Sequence, residues 1–211
     1  MNWAWLADNA AMIGGLAWRH VLIALPAVVL TFVLAVPLGW AAHRSGRFRE
    51  VIVAATSLIY VVPGLAMFIL MPLVLGTSIL SPLNVVVAMT LYGLALMVRS
   101  AADAFDAVPA DVRQAAVAAG YSPLKRVLAV EFPLAGPGLI SGMRVVAAST
   151  VSLISVGALI GVESLGTLFT EGFQRAFPTE IIAGIMCTVA LALLIDAALN
   201  LLARLTMPWR S

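Results

Sequence analysis

Charged side chains are scarce in this chain. Its 211 residues hold 12 Lys and Arg against 10 Asp and Glu, 10% in all, where soluble domains carry roughly 25%. A soluble globular fold is excluded. The net charge of +2 is small and scattered, so no basic surface for nucleic acid is built. A single cysteine, Cys187, rules out an intrachain disulfide or a multi-cysteine zinc site. Within its apolar run it is expected to act as a small buried hydrophobe. The two histidines, His20 and His43, flank the first apolar run. On a helix they stand about 35 Å apart, at about 1.5 Å per residue, and cannot share one catalytic site. No G-x-x-x-x-G-K-[ST] loop occurs, so any ATP hydrolysis belongs to another polypeptide. Ser141 and Gly142 lie in GLISG, which is not a nucleophile elbow. Catalysis by this chain, a metal site and a bound cofactor are therefore not expected. The opening MNWAWLADNA has no basic segment and contains Asp8, so a cleavable signal peptide is not expected.

Apolar residues make up 63% of the chain and fall into runs of membrane-spanning length, about 20 residues each. Five spans are expected, at residues 21–42, 51 to about 74, 83–98 (short, but extendable through 100–102), 134 to about 159, and 181–202. Residues 1–20, rich in tryptophan, read as an interfacial lead-in outside the membrane domain of 21–202, and residues 203–211 as a tail. If the loop around Arg44 faces the cytoplasm, nine of the twelve cations lie inside: Arg44, Arg47, Arg49, Arg99, Arg113, Lys125, Arg126, Arg204 and Arg210. Arg19 and Arg175 would then be outside and Arg144 within a span. The positive-inside rule thus predicts an external N-terminus and a cytoplasmic C-terminus.

Two charges fall inside spans, Arg144 and Asp196. One reading has them line or pair across a pathway. The other has Arg144 snorkel to the interface while Asp196 pairs or caps between helices. Pro63 and Gly64 loosen the second span at its middle, as a gate or as a fixed kink. Gly138 and Gly142 form a small-residue stripe for close helix packing, within the subunit or across a dimer.

The stretch 99–133 is too polar for lipid. Pro109 and Asp111 signal a helix start, Gly120 a left-handed stop, and Ser122-Pro123 a second start. Val108, Val112, Ala115, Ala116 and Ala119 are expected on one narrow face. Periodicity alone leaves two readings open: a lid on the bilayer surface, or a rod inserted into a partner's groove.

The spacing here is Gln114-Ala115-Ala116, three residues, Gly120, nine residues, Val130, one residue, Phe132-Pro133. It resembles the "EAA" loop of ABC importer permeases, with Gln114 in place of the glutamate. Residues 62–66 (VPGLA), 160–168 (IGVESLGTL) and 205–210 (LTMPWR) look like the osmoprotectant branch, which imports glycine betaine, choline, carnitine and related quaternary amines. A methionine-type permease is the second member of the class to consider, and a small channel or secondary transporter the alternative of a different class. The resemblance implies an all-α type I importer permease fold of about five spans, similar to the methionine permeases, in the bacterial inner membrane. It also implies alternating access between two permease subunits, identical or related, with a separate external binding protein delivering solute. Two cytoplasmic ATPases would hold ATP and magnesium, and a coupling helix marked by Gln114, Ala115, Ala116, Gly120 and Pro133 would transmit their motion. No aromatic box for a quaternary ammonium is evident, consistent with selectivity residing in the binding protein.

Overall fold

A computed structural model describes residues 2–210. All regular structure among them is helical. A short α1 (Trp3–Asp8) leads into α2 (Ala10–Arg44), an unbroken helix of 35 residues that carries Pro26 and Pro37 inside it. At about 1.5 Å per residue it exceeds the roughly 30 Å apolar core of a bilayer. Residues 10–20, expected as an interfacial lead-in, are instead the start of this helix. They carry only one charge, Arg19, and Leu16 is buried against Leu165 and Leu168.

The second expected span is not one rod. After α3 (Arg49–Ser57) a tight turn of 3-10 helix runs from Leu58 to Val61, and the chain bends by 101° before α4 (Gly64–Leu75). Pro63 lacks an N–H and drives Val62 into an extended conformation, with ψ of 128°. The hydroxyl of Tyr92 donates to the Val62 carbonyl that the bend leaves free, and Tyr60 packs edge-on against the same ring.

The central element is α5 (Pro82–Asp106), with 72% of its most apolar stretch buried. It continues past Val98 through the expected extension at 100–102 and on to Asp106, because Ala101, Ala102, Ala104 and Phe105 carry on its buried side. Helix α2 presses on it so closely that a Cβ on Gly39 would meet the α5 backbone, 2.9 Å from both Ala102 N and Val98 O. Lipid offers no hydrophobic drive between helices, so such approach supplies van der Waals contact instead.

Beyond α5, α6 (Ala110–Ala118) and α7 (Pro123–Arg126) lead through a π-helical turn, Val127–Glu131, into α8 (Phe132–Ile154). The stripe on α8 packs inside the subunit: a Cβ on Gly138 or Gly142 would come within 2.7 Å of the Ala104 or Ser100 Cβ on α5. The expected loop after α8 holds a further helix, α9 (Thr167–Gln174). Last comes α10 (Pro178–Thr206), with only 11% of its most apolar stretch buried. Among the described residues, four helices are long and apolar enough to cross a membrane, and the bent pair makes a fifth when counted as one span.

Candidate functional site: a tethered helix and an intramembrane ion pair

Helix α6 begins after Pro109, which sits at the cap position, and carries Asp111 in its first turn, where a carboxylate suits the positive end of the helix dipole. It ends in a Schellman arrangement. Gly120 takes φ +77°, Gly120 N–H donates to Val117 O and Tyr121 N–H to Ala116 O, both at 3.0 Å. The Ser122 hydroxyl then caps α7 by accepting from Lys125 N–H.

The expected alanine face is divided. Val108 and Ala116 are buried and Val112 is half-buried, while Ala115 and Ala119 turn outward beside Gln114. Consecutive helical positions lie about 100° apart, and here that step carries Ala116 inward and Ala115 outward. Ala115, Ala118 and Ala119 share the outward surface of α6 with Gln114 and Val117, with open space around Gly120.

A chain of polar contacts ties α6 to the ends of three other helices. An Arg113 Nη1–H donates to His43 Nε2 at 3.0 Å, and His43, protonated on Nδ1, donates to Asp106 Oδ1 at 2.5 Å. Arg49 bridges the Asp106 and Asp103 carboxylates, its Nε lying 3.0 Å from Asp106 Oδ2. These groups stand on α6, the end of α2, the start of α3 and the end of α5. Sequence reading did not single out this relay.

A second cluster lies at the π-helical turn. Pro133 cannot donate to the Ala129 carbonyl, and the helix widens so that Phe132 N–H reaches Val127 O. The turn buries Glu131 to 3% exposure. Its carboxylate accepts from Arg126 Nε at 2.9 Å and from Trp40 Nε1 at 3.3 Å. Glu131 occupies the one unspecified position between Val130 and Phe132 in the loop pattern, so the pattern alone could not have marked it. Pro133 itself is half-buried at the start of α8.

At mid-helix, Arg144 of α8 and Asp196 of α10 form a bidentate ion pair, with 2.9 Å from Nη2 to Oδ2. Asn200 donates to the same carboxylate at 3.1 Å. The pair is 44% and 34% exposed on the outside of the bundle, so Arg144 does not snorkel away from Asp196. Pro63 and Gly64 stand apart from this pair: the nearest neighbour of a Cβ on Gly64 is Leu153, at 3.8 Å. Leu153 lies nine residues, or about 13 Å, along α8 from Arg144.

Residues 32–208 match the family described as binding-protein-dependent transport system inner membrane component. The chain belongs to that family. It is 30% identical over 199 residues to the osmoprotectant import permease protein OsmW of Salmonella typhimurium, covering 93% of this chain and 92% of that protein. To the glycine betaine/carnitine/choline transport system permease protein OpuCD of Bacillus subtilis it is 26% identical over 192 residues, covering 90% of this chain and 82% of that one. Among solved structures, the inward-facing MetNI methionine ABC transporter superposes with a TM-score of 0.80 at 19% identity, over 98% of this chain and 99% of that one. This family member is thus a multi-pass inner-membrane permease component with the type I ABC importer permease fold.

Proposed function

We propose that this permease carries quaternary-amine osmoprotectants, of the glycine betaine, choline and carnitine class, inward by alternating access. The observation that carries the reading is the end-to-end similarity to permeases named for those solutes; the methionine transporter shares the fold alone. Two copies of the permease, or this chain and a related one, enclose the pathway. A separate external protein delivers the solute, and two ATPase subunits supply ATP and magnesium at the cytoplasmic side.

Helix α6 is the docking element in this reading. Gln114, Ala115 and Gly120 meet the ATPase on the outward strip, Ala116 and Pro133 hold the segment against the bundle, and the Arg113–His43–Asp106–Arg49 relay passes its displacement to α2, α3 and α5. The arginine excess at that end supports a cytoplasmic location for it and for the C-terminus, with the N-terminus outside. Arg144 and Asp196 face the pathway or the second permease subunit. An ion pair with this exposure, flanked by outward-facing Ser141, Ala148 and Ser152, does not suit hydrocarbon. The bend at Pro63 and Gly64 is a gate position on the same pathway.

Uptake of radiolabelled glycine betaine, choline, carnitine and methionine, in cells with and without this chain, tests the reading. Uptake of one or more quaternary amines that depends on the chain, with methionine unaffected, is the expected result. Chain-dependent methionine uptake alone would overturn the substrate assignment.

A further inference from the structure

Two cavities adjoin at the α6 end of the bundle and share Arg44. The first, about 590 Å³, is an apolar groove between α2 and residues 123–132, walled by Val36, Pro37, Trp40, Leu124, Leu128 and Phe132. The second, about 390 Å³, is lined by Arg44, Arg113, Arg126, His43, Gln114 and Glu131. Three guanidiniums meet one carboxylate there. Arg126 is committed to Glu131 and Arg113 to the His43 ring. Arg44 lies over the face of Trp40 at 5.3 Å and pairs with no carboxylate among the described residues. Uncompensated positive charge therefore adjoins an open apolar slot where the long helices end. Trp40 marks this as interface depth, since indole rings favour the boundary between hydrocarbon and headgroups.

We propose that the joined cavities bind one anionic phospholipid. Its acyl chain lies along Trp40, Leu124 and Leu128, and its phosphodiester meets Arg44 and Arg113. Guanidinium forks match phosphate oxygens in pairs. A zwitterionic lipid would bring its own ammonium against the excess of arginine, and a free anion would leave the groove empty. The site does not depend on which solute is carried, and it adjoins the α6 docking element, with which it shares Arg113 and Gln114.

The test uses the full chain with Trp3, Trp5, Trp18 and Trp209 replaced by phenylalanine, leaving Trp40 as the sole tryptophan. The protein is placed in phosphatidylcholine vesicles containing equal small fractions of phosphatidylglycerol or phosphatidylcholine brominated on the acyl chains. Brominated phosphatidylglycerol should quench Trp40 severalfold more than brominated phosphatidylcholine. Arg44→Gln should remove that preference, and Arg44→Lys should keep most of it. Equal quenching by the two lipids, or a preference untouched by Arg44→Gln, overturns the proposal. Release of the quenching by millimolar inorganic phosphate would make this a free-anion site and overturn the lipid assignment. Loss of ATPase co-purification in Arg44→Gln with no change in quenching would reassign the cavity to the partner protein. Transport specificity can fail its own test without touching any of these outcomes.

Discussion

His43 receives a hydrogen bond on one nitrogen and gives one from the other, so a single ring joins Arg113 of α6 to Asp106 of α5. Removing the acid should loosen the ring without emptying the helix ends, because Arg49 still bridges to Asp103. We predict that Asp106→Asn lowers solute carried per ATP about fivefold in reconstituted transporter while ATP hydrolysis persists. Measuring uptake and phosphate release on the same vesicles checks this; an unchanged ratio would remove the relay from coupling. A paired experiment addresses Arg144 and Asp196. Losing one partner leaves an unbalanced ion among apolar helices, the costlier state. Arg144→Met and Asp196→Asn should each reduce the amount inserted in membranes, and the double variant should recover most of it. Quantitative blotting of membrane fractions decides the point.

At the scale of the element, α6 stops where Gly120 turns left-handed, at φ +77°. A β-branched residue there carries strain of about 1–3 kcal/mol, relieved most easily by unravelling the end of the rod. Gly120→Val should abolish uptake while its membrane level stays normal; normal uptake would show that the helix end has no part in docking. Glycines elsewhere sort by what surrounds them. Gly39→Ala should destabilise the protein by about 1–3 kcal/mol by overpacking α2 on α5. Gly14→Ala, with nothing near its Cβ, should be neutral or slightly stabilising, as expected for alanine within a helix. Thermal unfolding in detergent separates the two.

Local signals made α6 legible in the sequence. Pro109, Gly120 and the Ser122-Pro123 pair each act on their own backbone, and each marks an element boundary in the structure. The relay beside it was not legible, because its partners lie 54 to 70 residues apart in the chain and no short pattern encodes such pairing. The same cause hid the 101° bend, whose site Pro63 signalled but whose size depends on how α3 and α4 pack. Apolar composition located the spans but could not separate lead-in from helix at Ala10, nor show α9 within the loop. The division of Val108, Val112 and Ala116 to the inside from Ala115 and Ala119 on the outside also escaped periodicity. Which alanine turns inward depends on where the helix rests, and that is a tertiary choice.

For the molecule as a whole, charge and apolar surface suggest assembly. The outward faces of α2 and α10 carry exposed leucine, valine and isoleucine suited to lipid, while the polar surface gathers at the ends. Affinity purification of the tagged full chain in a mild detergent should bring down a polypeptide containing a P-loop. Repeated failure across several mild detergents would favour the channel alternative.

Helix α10 has a consequence for how the protein is made. It contributes little buried surface, yet among the described residues it carries the only carboxylate that meets Arg144. Without α10, the Arg144 guanidinium at mid-helix has no carboxylate to meet. Chains cut short before Pro178 would leave that cation without its partner among apolar helices, the costlier state, and should accumulate less in membranes than chains that retain Asp196.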